Sequence, residues 1–126
     1  MVAHQGDVVW VSLPEPRGSE PGGRRPVVVL QHERFNRTTL ATAVVVAVTS
    51  KLKYAELPGN VRLRKGEAGL PRASVVNVTQ IATVDRALLG ARLGTLTSAR
   101  LAEVWAGVRL VCAPDVVVTQ GGTTLR

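Results

Sequence analysis

Valine recurs along this 126-residue chain in short runs, each cut off by glycine, proline or a polar cluster. A side chain branched at Cβ is stiff and packs well on a pleated surface, so such runs predict strands. The spacing predicts them over Asp7–Leu13, Pro26–Gln31, Thr42–Thr49, Gly59–Leu63, Ser74–Thr83 and Ala91–Leu96. Val44-Val-Val-Ala-Val48 is continuous instead of alternating, the pattern of a central strand buried on both faces. Two segments break the rule. Asp85-Arg-Ala-Leu-Leu-Gly90 sets an N-cap and a glycine stop around a single helical turn. From an N-cap at Thr97 or Ser98, Leu101, Val104, Trp105 and Val108 fall on one helix face, with Arg100, Glu103 and Arg109 opposite and Pro114 closing the segment. Leu101 and Trp105 are expected to carry its packing on the sheet. The fold class expected is mainly β with a C-terminal helix, a small curved sheet closing as an SH3-like barrel. Residues 1–112 read as one domain and 113–126 as a tail, with Val116–Val118 able to pair as an edge strand and Gly121-Gly122 favouring mobility.

Sixteen Lys and Arg stand against nine Asp and Glu, a formal charge of +7 that suits a polyanion: nucleic acid or an acidic protein partner. A merely solvated basic surface is the plainer reading. Cys112 is the sole cysteine, so no intrachain disulfide can form. With no signal-peptide pattern and no apolar run of spanning length, a cytoplasmic protein with no membrane partner is expected. His4 and His32 lie apart and no His, Cys or Asp shows ligand spacing, so neither a metal nor a cofactor is expected. Patterns for nucleotide-binding glycine loops are absent as well.

The stretch Gly18-Ser-Glu-Pro-Gly-Gly-Arg-Arg-Pro26 belongs to a connection far longer than a hairpin requires. Long loops on a rigid sheet are where binding and catalytic residues concentrate. This one carries Glu20, Arg24 and Arg25. RNA supplies its own nucleophile, the 2′-hydroxyl, so cleavage asks a protein only to align the attack, neutralise phosphate charge and move protons. Arginine matches phosphate bidentately and keeps its charge. A carboxylate can accept the 2′-OH proton or hold the arginine, and a strand-end hydroxyl can donate to a phosphate oxygen. Glu20, Arg25 and Thr49 supply those three groups. The plain alternatives are a surface ion pair bracketing a loop and a threonine that ends a strand.

In the same residues the chain resembles the MazF/PemK family of toxin endoribonucleases of type II toxin–antitoxin systems. The likeness runs from Gly6-Asp-Val-Val-Trp10 through Gly18–Val29, Phe35-Asn36, Val48-Thr-Ser50, Lys65-Gly-Glu-Ala-Gly-Leu-Pro71 and Ser74–Ile81 to Thr83-Val-Asp85 and Leu93-Gly-Thr-Leu96. Each piece is common; their joint order is not. The resemblance implies the barrel with its helix, and metal-independent, sequence-selective cleavage of single-stranded RNA leaving 2′,3′-cyclic phosphate and 5′-hydroxyl ends. It also implies a homodimer and an acidic antitoxin of the MazE kind. By it Arg25 stabilises the phosphorane, Thr49 binds the scissile phosphate, and Glu20 is the base or the residue that positions Arg25.

Candidate RNA contacts are Arg17, Ser19, Arg24, Phe35, Asn36, Ser50, Lys51, Lys53 and Gln80, with Tyr54 in the same basic loop as the two lysines. Trp10 and Trp105 read as core. The alternatives are a gyrase-poisoning, non-enzymatic toxin of the CcdB type and a non-catalytic RNA-binding module. The chain ends Thr-Thr-Leu-Arg126 and its Trp105 sits inside the expected helix, which counts against the first.

Overall fold

The computed structural model describes residues 3–14, 18, 23–119 and 122–125. Its elements are β1 (Asp7–Leu13), β2 (Gly23–Val29), the short α1 (Glu33–Asn36), β3 (Thr42–Thr49), β4 (Val61–Leu63), β5 (Ser74–Asp85), β6 (Leu89–Thr95) and α2 (Ser98–Cys112). Six strands form one antiparallel sheet in the order β4-β5-β3-β2-β1-β6. The segments after Pro114, β7 (Val116–Thr119) and β8 (Gly122–Leu125), pair only with each other.

β1 and β3 have the bounds expected from sequence, while β2 starts earlier because Gly23, Arg24 and Arg25 pair with Leu13, Ser12 and Val11. The helical turn expected at Asp85 is a 3₁₀ turn over Arg86–Leu88, capped by the Asp85 carboxylate accepting from the Ala87 N–H at 2.8 Å. Thr97 caps α2 through its hydroxyl, which accepts from the Arg100 N–H at 3.2 Å.

Valine fills both sides of the sheet. Val8, Val28, Val46, Val48, Val76 and Val78 form one cluster with Leu63, Leu70 and the α2 residues Val104 and Val108. Val9, Val11, Val27, Val29, Val45 and Val84 form the other. Neighbouring residues of a strand point to opposite faces, so this division follows from the alternation of the pleat. Val45, Val46, Ala47 and Val48 are all buried, as a two-sided central strand demands. On α2 the packing falls to Val104, Gly107 and Val108, while Leu101 and Trp105 are half-buried.

The end strands β4 and β6 share no ladder; the turn Glu67–Gly69, between β4 and β5, bridges them. Gly66, Ala68 and Gly69 all take positive φ there, of 86°, 51° and 76°. That tight path sets Gly69 against the backbone of Leu93 and Ala68 against that of Gly94, so closely that a Cβ on either glycine would overlap the opposing main chain. The same turn holds α2: Arg100 grips Glu67 with two N–H groups, at 2.6 and 3.2 Å. The arginine's hydrogen bonds, more than its charge at a distance, lower the Glu67 pKa.

The N-terminal segment is tied to α1 by Glu33, whose carboxylate accepts from the Gln5 N–H at 2.6 Å and meets His4 Nδ1 at 2.9 Å. Led by the Gln5 N–H and then His4, these bonds lower the Glu33 pKa from 4.5 to about 2. A carboxylate depressed in the folded state contributes stability above its unfolded pKa, lost as pH falls toward the folded one. Two outcomes are expected. Gly69→Ala should cost about 2 kcal/mol in urea unfolding, from the αL strain and the overlap with Leu93; an unchanged midpoint would contradict the bridging role of the turn. Between about pH 4.5 and 2, wild type should lose stability more steeply than Glu33→Gln. Parallel curves would show that Glu33 is not the linked group.

Candidate functional site

The β2–β3 register pairs Val27 with Ala47. Beyond that pair, Arg25 of β2 and Thr49 at the end of β3 line one cleft. On β3's other side Thr49 pairs with Val75, next to Ser74 at the start of β5. Three strand ends therefore converge, and the loops leaving them build a cleft.

The cleft holds about 330 Å³ and is lined by Trp10, Arg24, Arg25 and Pro26 from β1 and β2, Val48 and Thr49 from β3, Ser50 and Lys51 beyond it, and Pro71, Arg72 and Ser74 before β5. A second cleft of about 410 Å³ adjoins it, lined by Gly18, Tyr54, Leu57, Asn77, Thr79 and Gln80. Arg25, Thr49 and Lys51 line both and form the ridge between them.

The Thr49 hydroxyl accepts from the Lys51 N–H at 3.2 Å, which anchors its oxygen and leaves its own hydrogen to donate outward. Arg24, Arg25, Lys51 and Arg72 give the first cleft its charge, and no Asp or Glu lines either cleft among the described residues. Like charges gathered in one cleft favour an anion in the space they face. In the second cleft Asn77 is buried, its Oδ1 accepting from the Thr79 hydroxyl at 2.9 Å.

Of the residues marked by sequence, Arg24, Arg25, Thr49, Ser50, Lys51 and Gln80 come together here. Lys53 stays beside them in the loop, its ammonium 5.6 Å from the Tyr54 ring centroid. Glu20, Arg17 and Ser19 lie outside the described residues. Phe35 and Asn36 go elsewhere. Phe35 lines a separate apolar groove with Leu30, Val44 and Trp105. Asn36 is buried, and its amide is committed to the Gln31 carbonyl at 2.7 Å and the Gln31 side chain at 3.1 Å. Its amide nitrogen also donates to the Glu33 carboxylate at 3.2 Å, so both N–H groups are spent inside the protein and Asn36 braces α1.

Two residues were missed. Trp10 reads as core from its place in an apolar strand, yet it is half-buried and lines the cleft. Arg72 gives no local sign; only the β3–β5 register, which puts Ser74 beside the end of β3, reveals it. Among the described residues no cluster of His, Cys, Asp or Glu could hold a metal ion.

A curled, six-stranded half-barrel sheet backed by one C-terminal helix, with a cationic cleft at its strand ends, defines the class of fold. Within that class, the family of PemK-like, MazF-like toxins of type II toxin–antitoxin systems matches residues 4–112. The chain belongs to that family. It is 40% identical over 111 residues to endoribonuclease MazF6 of Mycobacterium tuberculosis, covering 88% of this chain and 97% of that protein. Endoribonuclease EndoA of Bacillus subtilis is 40% identical over 86 residues, or 68% of this chain and 73% of its own length. Among solved structures, MazF of Deinococcus radiodurans superposes with a TM-score of 0.73 at 29% identity, covering 88% of this chain and 96% of that one.

Proposed function

We propose that this chain is a toxin endoribonuclease that cuts single-stranded RNA at the ridge formed by Arg25, Thr49 and Lys51. The observation that carries this reading is the union, at the ends of β2 and β3, of an arginine, an anchored hydroxyl and a lysine between two clefts. A phosphate on the ridge leaves one neighbouring nucleoside for each cleft. The relatives named endoribonucleases in Mycobacterium and Bacillus support the same reaction.

In the reaction proposed, the 2′-oxygen forms a bond to phosphorus as the P–O5′ bond breaks, leaving a 2′,3′-cyclic phosphate. The proton lost from the 2′-hydroxyl goes to a base, and the departing 5′-oxygen gains one. Arg25 neutralises charge on the non-bridging oxygens, where a guanidinium is worth most because it needs no reorganisation. Thr49 donates a hydrogen bond to the same phosphate, and Lys51 adds charge. Glu20 is the base or positions Arg25. No step calls for a metal.

We read the working unit as a homodimer in the cytoplasm, neutralised by an acidic antitoxin. The MazF of Deinococcus radiodurans has been solved with MazE, a structure to which this chain is 27% identical with a TM-score of 0.69. The +7 charge supports competition between RNA and an acidic chain for one surface.

The test is cleavage of a long mixed-sequence RNA in EDTA. Wild type should leave discrete cuts with 5′-hydroxyl ends. Arg25→Ala should lower the rate at least 100-fold, in line with loss of a preorganised charge at the reacting phosphate, and Thr49→Val about 10-fold or more. Equal cutting by Arg25→Ala would remove the ridge from the chemistry.

A further inference from the structure

Trp10 and Arg24 form a feature that phosphate chemistry alone does not require. In the β1–β2 register Trp10 pairs with Pro26 and Ser12 with Arg24. Arg24 therefore stands on the same face of the ribbon as Trp10, on the diagonal, where long side chains reach one another. The contact is close: the guanidinium carbon lies 4.2 Å from the centroid of the indole ring. Both residues line the first cleft, beside the ridge of Arg25 and Thr49.

A guanidinium is flat and has two faces. Trp10 lies against the guanidinium at stacking distance, and Arg24 itself is exposed to solvent. Resting on the ring reduces the freedom of a side chain that would otherwise sample many rotamers, so the second face is presented in a set orientation. Single-stranded RNA is bound by stacking unpaired bases on aromatic rings or on guanidinium planes. We propose that the Trp10–Arg24 stack is a platform for one nucleobase, that of a nucleotide flanking the scissile phosphate. The inference rests on the reading of this cleft as an RNA site and adds a residue pair that positions the substrate. Every base has a π-face, so the platform supplies binding and alignment for that nucleotide without reading its edge.

Lysine separates the plane from the charge: Arg24→Lys keeps the cation and loses the fork and its faces. The experiment uses the full chain and a synthetic RNA spanning one mapped cut. In companion oligonucleotides, each of the three nucleotides on either side of the cut is made abasic in turn. Wild type should lose about tenfold or more in kcat/KM when one particular base is removed. Arg24→Lys should cut the intact RNA with a similar loss, and removing that same base should cost it nothing further. Trp10→Leu, checked for native folding by circular dichroism, should behave in the same way.

A merely structural stack would lower all substrates equally, so unchanged abasic penalties in Arg24→Lys would overturn the platform. So would wild-type cutting of the intact RNA by that variant. A wild-type protein that cuts no RNA would sink the endoribonuclease reading and the platform with it. Cutting by wild type with no effect of Arg24→Lys would sink the platform alone.

Discussion

A sheet with valine on both faces can be stable only if both faces are covered. Here α2, β4 and the closing turn cover one face, while Ala3, Leu13, Ala82 and Leu89 pack against the valines of the other. The curl depends on the turn Glu67–Gly69. It lays backbone on backbone against β6 through two glycines and holds α2 through Arg100. Hydrophobic burial supplies the drive, but it has no direction; the turn determines how far the sheet bends. Its three positive-φ residues show that the path is tight. Lys65–Pro71 thus owes its place among the family's motifs to architecture as well as to its position leading into Arg72.

The cleft is a consequence of that curl. Arg25 near the start of β2 and Thr49 at the end of β3 open on one cleft, which Pro71 and Arg72 also line. Four cations, Arg24, Arg25, Lys51 and Arg72, line that one cleft and reach the surface, where water and salt moderate their field. The fold and the function draw on different parts of the same strands: buried valines in the middle, charged and hydroxyl residues at the ends.

Most of the strands were legible because β-branched runs and their punctuation are local properties. The start of β2 was not, since Gly23-Arg24-Arg25 looks like loop by composition and is strand only through its pairing with β1. Arg25 and Thr49 were legible as candidates, by chemistry and by family resemblance. Phe35 and Asn36 share a family motif, but Asn36 proves to be an internal brace and Phe35 faces an apolar groove away from the cleft. Trp10 reads as core for the opposite reason: alternation predicts which face a residue points to, not whether other elements cover that face where the residue stands. Arg72 depends wholly on tertiary closure. The local periodicity of α2 placed its axis well, but not the burial order of its face, because Gly107 lets the helix approach more closely than larger residues would.

On the proposed function, the ridge of Arg25, Thr49 and Lys51 receives a phosphodiester, with a nucleoside in the cleft on each side. The most direct measurement is a crystal structure with an RNA oligonucleotide made uncleavable by a single 2′-deoxy substitution at the mapped cut. That phosphate should lie within hydrogen-bond distance of the Arg25 guanidinium and the Thr49 hydroxyl, with its two neighbours in opposite clefts. An ordered oligonucleotide bound elsewhere, such as along the groove of Phe35 and Trp105, would contradict it.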